Sequence, residues 1–223
     1  MIDKEKLIQT VFERKIIAIF RNIPEEESLQ TANALYNGGI RLCEVTFNMK
    51  DKNNNFASTL NSVRNILKGR KGRDLHVGVG TVLTTEQVIL ARDAGAEFII
   101  TPSINTDVIR LANQMGMMTM PGGYTPTELE MAYEAGADFV KIFPASEAGA
   151  SYFKAVSAPL KHIPLIAVGG VDLDNMESFY NAGCVGFGIG GNLVNKNYIE
   201  EGRFSELTSL ARQYADKAAT FCN

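Results

Sequence analysis

Gly136-Ala137-Asp138-Phe139-Val140-Lys141-Ile142-Phe143-Pro144 is the stretch from which the fold can be read outward. It has the length and composition of a buried parallel strand, apolar, β-branched and aromatic, stopped by a proline. One lysine sits in its middle. Side chains alternate along a strand, so Phe139, Lys141 and Phe143 share one face and Val140 and Ile142 the other. An ammonium between two phenyl rings is poorly hydrated, and desolvation lowers a lysine's pKa. A neutral amine can attack a carbonyl, and the resulting iminium is an electron sink. The plainer alternative is a lysine near a strand end whose stem is buried while its head reaches solvent.

The stretch is introduced by Ala135-Gly136-Ala137, and the same phrase recurs. Ala94-Gly95-Ala96 precedes Phe98–Thr101, Ala182-Gly183-Cys184 precedes Val185–Ile189, and Gly38-Gly39-Ile40 precedes Leu42–Phe47. Each reads as a helix C-cap glycine feeding directly into a strand, the αβ joint of a βα repeat. Ile16–Phe20, His76–Gly80, Met117–Met120 and Leu165–Val168 complete a set of eight expected strands.

Helical patterns fill the intervals. Residues 3–14 are amphipathic, with Leu7, Ile8, Val11 and Phe12 on one face. Pro24 and three glutamates open a helix that Gly38-Gly39 ends. A polar Lys/Asn-rich loop leads to a helix near 55–68. Thr84 or Thr85 caps one running to Ala94, and a last helix is expected from about Ile199 to Phe221. Eight βα units in 223 residues most simply close into a single (β/α)8 TIM barrel spanning 1–223, with an additional N-terminal helix. A doubly wound open sheet is the alternative.

Composition narrows the class. With 45% hydrophobic residues the chain can bury a large core, and its formal charge of −3 carries no basic excess, so nucleic acid is not an expected partner. Cys43, Cys184 and Cys222 are odd in number and lack metal-type spacing. Cys43 and Cys184 fall in apolar runs where a small buried thiol is the ordinary reading, and together the three point to a reducing compartment. The opening Met-Ile-Asp-Lys-Glu-Lys has no signal-peptide core and no run approaches membrane-spanning length. A soluble cytoplasmic protein is expected, without a membrane partner.

A barrel places function at the C-terminal ends of its strands. Those ends carry Arg21, Glu44-Val45-Thr46, Gly78-Val79-Gly80-Thr81, Thr101-Pro102, Pro121-Gly122-Gly123, Lys141-Ile142-Phe143-Pro144, Gly169-Gly170 and Gly188-Ile189-Gly190-Gly191. Alternation puts Glu44 and Thr46 on one face while Cys43 and Val45 point toward the helices. If both strands turn their charge inward, Glu44 and Lys141 face each other across a barrel narrow enough for them to meet through water or a small ligand. A buried structural ion pair is the alternative, but such pairs are costly to desolvate. Schiff-base formation needs a proton moved off nitrogen and onto a departing hydroxyl, which one carboxylate can do.

Gly169-Gly170 and Gly190-Gly191 form a second constellation. Free backbone N–H groups at those two loops, followed by a helix N-terminus, would cradle a phosphate; turn glycines are the plainer reading. There is no Gly-x-Gly-x-x-Gly opening a helix after the first strand, no P-loop and no clustered Cys/His set, so neither a cofactor nor a catalytic metal is expected. His76 and His162 lie apart and read as structural.

Glu44-Val45-Thr46, Gly78-Val79-Gly80-Thr81-Val82-Leu83, Pro121-Gly122-Gly123-Tyr124-Thr125-Pro126-Thr127-Glu128, Lys141-Ile142-Phe143-Pro144-Ala145 and Gly169-Gly170-Val171 occur in an order that resembles the 2-keto-3-deoxy-6-phosphogluconate (KDPG) / 4-hydroxy-2-oxoglutarate (KHG) aldolases over nearly the whole chain. The resemblance implies a metal-independent Schiff-base aldolase, commonly a homotrimer, that releases pyruvate from a 2-keto acid. It implies Lys141 as the Schiff-base lysine, Glu44 as general acid/base and Thr81 near the substrate carboxylate. Pro102 and Phe143 match pocket walls, and the glycine pairs match the phosphate end.

Three positions depart from the family pattern. Asn48 stands where well-known members carry an arginine that helps bind the carboxylate, Val168 where a threonine often precedes the first glycine pair, and Asn192 where a serine often follows the second. Asn48 cannot supply the missing charge, so Thr81, backbone N–H groups and Arg21 are expected to hold the keto-acid carboxylate. Arg21 could equally be a surface residue paired with Glu25–Glu27. A phosphosugar isomerase or epimerase and a non-catalytic sugar-acid-binding protein are the alternative functions for the same barrel.

Overall fold

The computed structural model describes residues 3–50 and 56–221. In chain order the elements are α1 (Lys4–Arg14), β1 (Ile16–Phe20), α2 (Glu25–Asn37), β2 (Leu42–Thr46), α3 (Ala57–Gly69), β3 (His76–Gly80), α4 (Thr85–Asp93), β4 (Phe98–Ile100) and α5 (Thr106–Gln114). There follow β5 (Met118–Met120), β6 (Gly122–Gly123), α6 (Pro126–Glu134), β7 (Val140–Ile142), α7 (Ala145–Ser157), β8 (Leu165–Val168), α8 (Met176–Asn181), β9 (Cys184–Ile189), α9 (Lys196–Glu200) and α10 (Phe204–Ala219).

All pairings are parallel, in the order β5-β4-β3-β2-β1-β9-β8-β7-β6. The two ends of that order are consecutive in sequence. β5 and β6 are one strand interrupted at Pro121, which has no N–H to give to a ladder. The first piece pairs with β4 and the second with β7, while the Lys141 N–H donates to the Pro121 carbonyl at 2.9 Å. The expected eight-stranded barrel closes through this split strand.

The αβ joints form as the sequence predicts: Gly39, Gly95, Gly136 and Gly183 all take positive φ, between 91° and 104°, immediately before or near a strand. Thr84, not Thr85, caps α4, in a capping box with Gln87. The final helix differs from expectation. Gly202, at φ 68°, breaks it, so α9 and α10 are separate elements where one helix was expected over 199–221. Residues 51–55 of the expected polar loop, and Cys222, lie outside the described residues.

Two apolar layers result. Cys43, Val45, Val77, Val79, Val140 and Ile142 face the helices, and Ile17, Ile19, Leu42, Phe98, Ile100, Met118, Met120, Phe139, Ile166 and Val168 fill the barrel interior. The α1 helix plugs the N-terminal end of that interior with Leu7 and Val11, and Phe12 lies 5.2 Å from the Phe139 ring. Lys4 fastens the plug through Asp138 at 2.9 Å and Asn113 at 2.6 Å. The plug leaves the C-terminal end of the barrel as the open one. Among the described residues no helix is long and apolar enough to cross a membrane.

Candidate active site

Glu44 lies at the centre of β2, level with Ile19 of β1 and Gly78 of β3. Lys141 lies at the centre of β7, level with Gly122 and Ile166. Counting the split strand once, β2 and β7 are four steps apart in either direction around the barrel, so the two residues stand on opposite walls. Both are buried, at 3% and 7% exposure. No nitrogen–oxygen contact within 4.0 Å joins them among the described residues, and Glu44 Oε2 is buried without a hydrogen-bond partner.

Burial dominates both ionisations. It pushes the Glu44 carboxyl above the usual carboxylate range, against the opposing pull of Lys141 and Arg21. It pushes the Lys141 amine below the usual lysine range; Glu44 opposes that shift and Arg21 adds to it. Burial thus biases each group toward its neutral form, the form in which an amine is a nucleophile and a carboxyl a proton donor. The Lys141 Nζ lies 5.3 Å from the centroid of the Phe143 ring, which is 42% exposed, while Phe139 is fully buried in the inner core below.

Above this pair opens a cavity of about 360 Å³, lined by Ile19, Arg21, Phe143, Val168, Gly169, Gly170, Val171, Gly188, Gly190, Gly191 and Asn192. Both predicted glycine pairs are on it. Gly169 and Gly170 have φ of 93° and 74°, and their carbonyls are engaged, by the Ser146 N–H at 3.0 Å and the Asn175 Nδ2 at 2.8 Å. Among the described residues, the N–H groups of Gly170, Val171, Gly191 and Asn192 have no backbone acceptor. The rim thus presents amide donors with nothing to satisfy them but solvent or a bound anion.

Of the remaining predicted residues, Arg21 lines this cavity, and among the described residues it forms no ion pair with Glu25–Glu27. Thr81 directly follows β3 with φ 59°, a conformation unusual for a β-branched side chain and of the kind that collects at functional sites. Pro102 follows β4 at the same end of the barrel, its carbonyl close against Gly122. Asn48 is placed elsewhere. It lines a separate cavity with Asn22, Ser58 and Thr59, and its side-chain oxygen accepts from the Lys50 N–H. Asn192 donates through Nδ2 to the Val171 carbonyl at 2.9 Å, so its amide braces the rim.

Sequence reasoning passed over Ile19 as a cavity wall and gave the two inward glycines of β3 no role of their own, while Val168, singled out beside the first glycine pair, does line the cavity. Strand alternation applied to Ile17-Ala18-Ile19 would have found Ile19. His76 and His162 bind carboxylates away from the cavity, Glu97 and Glu130 respectively. Among the described residues no three His, Cys, Asp or Glu side chains gather as a metal-ligand set.

A buried amine and a buried carboxyl on opposite walls of a barrel, beneath a rim of free amides, are the groups a Schiff-base lyase needs. Residues 7–210 match the family model for KDPG and KHG aldolases. The 2-dehydro-3-deoxy-6-phosphogalactonate aldolase of Escherichia coli (strain K12) is 34% identical over 202 residues, covering 90% of this chain and 95% of the relative. A probable enzyme of the same name from Rhizobium meliloti (strain 1021) is 38% identical over 182 residues, covering 81% and 82%. A solved structure described as native KDPGal superimposes with a TM-score of 0.79 at 35% identity, covering 92% of this chain and 95% of the other. The chain belongs to the KDPG and KHG aldolase family. It is a class I aldolase, a lyase that cleaves its keto acid to pyruvate. The isomerase and non-catalytic readings give way to that assignment.

Proposed function

We propose that this aldolase cleaves a 6-phosphorylated 2-dehydro-3-deoxy sugar acid, with Lys141 as its Schiff-base residue and Glu44 as its proton carrier. The observation that carries the reading is the pair itself: two buried, neutral-biased groups on opposite walls, one with an unpartnered oxygen, beneath a glycine-lined cavity. Neutral Lys141 adds to the C2 carbonyl, and Glu44 gives its proton to the hydroxyl that departs as water. The resulting carboxylate takes the proton of the C4 hydroxyl, directly or through water. The C3–C4 bond then breaks, its electron pair passing to the iminium, and the aldehyde leaves. Protonation of the enamine at C3 and hydrolysis of the imine release pyruvate and restore Lys141.

Arg21 and Thr81 hold the keto-acid carboxylate, Pro102 and Phe143 wall the pocket, and the amides around Gly169-Gly170 and Gly190-Gly191 receive the phosphate. Asn48, uncharged and on another cavity, is left out of that assignment. Both relatives named above carry the galactonate name, at 34% and 38% identity, which supports the galacto over the gluco epimer. Assembly as a homotrimer follows from the family resemblance, and sedimentation at the mass of three chains tests it.

Borohydride reduction in the presence of pyruvate tests the chemistry. One three-carbon adduct per chain on Lys141 is expected, with turnover unaffected by prior treatment with EDTA. An active enzyme with Lys141 unmodified, or activity lost to EDTA and restored by a divalent ion, overturns the mechanism. The ratio of kcat/KM for the galacto and gluco epimers decides the substrate.

A further inference from the structure

The β3 strand carries glycine at both of its inward positions above the plug. Gly78 and Gly80 lie beside Glu44 and Thr46 in the β2–β3 register. Neither has a left-handed φ, so the backbone does not require glycine there. Glycine within a strand also weakens it, and its presence commonly marks the close approach of another group. The approaching groups are identifiable. A Cβ on Gly78 would lie 2.2 Å from the Phe98 ring. A Cβ on Gly80 would lie 1.5 Å from Glu44 Oε1, 2.3 Å from its Cδ and 2.7 Å from its Cγ. Oε1 and the carboxyl carbon, with the methylene that bears them, rest in the space a side chain at position 80 would fill.

We propose that Gly80 is a positioning residue for the aldol cleavage: its bare inward face is the slot that seats the Glu44 carboxyl. Oε1 lies against β3 and Oε2, buried and unpartnered, remains for substrate or water. No hydrogen bond anchors that free oxygen, so the seat is made by shape and not by a donor. The fit matters because a proton carrier displaced by about 1 Å loses much of its effect. The inference rests on the reading of Glu44 as proton carrier.

Size complementation in the full-length enzyme tests it. Gly80→Ala is expected to lower kcat by about 10²-fold, with KM changed only a few-fold and the limb of the kcat–pH profile that reports Glu44 displaced. Glu44→Asp, one methylene shorter, also loses activity. Combined with Gly80→Ala it should regain at least tenfold over Gly80→Ala alone, because the shorter side chain removes the tightest contact, that of Oε1 at 1.5 Å, and leaves the Cγ contact at 2.7 Å, which a small shift relieves. Gly78→Ala is the control; it crowds Phe98 and should lower Tm without moving the pH profile.

Multiplying losses in the double variant, or Gly80→Ala with wild-type kcat and pH profile, overturns the proposal. Where Gly80→Ala does not fold, the pair Gly80→Ala/Glu44→Ala decides: recovery of a cooperative Tm supports a slot that serves Glu44, and equal failure of the pair overturns it. Glu44→Gln separates this inference from the reading beneath it. Near-normal kcat in Glu44→Gln removes the proton-carrier reading and this inference with it, whereas a large loss there beside a normal Gly80→Ala removes this inference alone.

Discussion

Glu44 and Glu97 are buried to the same 3% exposure, one near the C-terminal ends of the strands and the other at their N-terminal ends. Their surroundings are opposite. Glu97 accepts from Arg70 Nη1 at 2.8 Å and from the Val77 N–H at 3.2 Å, and it meets His76 Nδ1 at 2.8 Å. Burial pushes its pKa up, but the His76 and Arg70 hydrogen bonds overcome that and hold the carboxyl below the usual range. Glu44 has no cation within hydrogen-bond reach, and burial prevails. A barrel end that serves stability satisfies its buried carboxylate, while the end that serves chemistry leaves one poised to exchange a proton.

The largest expected effect comes from removing the amine. Lys141→Arg keeps a cation and a long stem, but a guanidinium remains charged and forms no imine. Turnover and borohydride-dependent labelling by pyruvate should both vanish, with the circular dichroism spectrum of the fold retained. Residual turnover above background in a clean preparation would transfer the Schiff base to another lysine.

Next is Glu44→Gln, which preserves shape but cannot carry a proton. A fall in kcat of about 10²–10⁴-fold is expected, with KM less affected. Its stability should equal or exceed that of the wild type, since it removes a buried carboxyl whose Oε2 has no partner. A kcat within a few-fold of wild type assigns the proton transfers elsewhere. A large drop in Tm would instead make Glu44 a structural residue like Glu97, and the contrast between the two ends would fail.

The same experiment at the other end should give the reverse. Glu97→Ala leaves the Val77 N–H without its acceptor and the Arg70 charge without its carboxylate, and should cost about 3 kcal/mol of stability, measured as the shift in denaturant midpoint at constant m-value, with kcat unchanged. The sign of the pH dependence follows from the lowered pKa of Glu97. Its stabilisation is present above the unfolded carboxylate value of about 4.3 and is lost as pH falls through the folded value. The gap between wild type and Glu97→Ala should therefore be full at neutral pH and shrink on acidification. A gap independent of pH would mean that lost packing, and not charge, dominates the variant.

Sequence periodicity carried the fold because it reports on faces. The alternation that sets Cys43 and Val45 against the helices is the one that turns Glu44 inward, and the glycines of the helix-to-strand joints mark four strand starts. It could not show the break at Pro121, where one strand serves two neighbours, since a strand run reads the same whichever partners it has. Nor could it show the turn at Gly202, because the apolar period resumes in phase on the far side. Within the site, the types and order of Lys141, Glu44 and the glycine pairs were readable. Which loop points at which cavity was not: Asn48 is two residues beyond the end of β2 at Thr46 and lines a different cavity from the glycine pairs. The Glu97–His76–Arg70 cluster escaped notice for a related reason. Its members are 21 and 27 residues apart, and only the β3–β4 register brings them together.

The smallest expected effect concerns the rim, where the chemical end meets its ligand. Val168 and Asn192 both line the cavity, yet the structure gives them different tasks. Val168 packs in the inner core at the end of β8, beside Gly188 and directly before the first glycine pair. Val168→Thr keeps the branched shape of the side chain and adds a hydroxyl beside the amides of Gly169 and Gly170. A hydrogen bond to a charged group contributes roughly 1.5–3 kcal/mol, so the preference for phosphorylated over unphosphorylated substrate, as a ratio of kcat/KM, should rise by about tenfold or more. Asn192 already spends its Nδ2 on the Val171 carbonyl. Asn192→Ser removes that brace, loosens both substrates' binding alike, and should lower kcat/KM for each while leaving the ratio near its wild-type value. The double variant then shows the Val168→Thr ratio at reduced activity. If the wild-type ratio is already large and neither substitution moves it, the backbone amides alone select phosphate and the rim side chains only wall the cavity. If Asn192→Ser, and not Val168→Thr, raises the ratio, the brace has been misread and the hydroxyl at 192 is the one that reaches the anion.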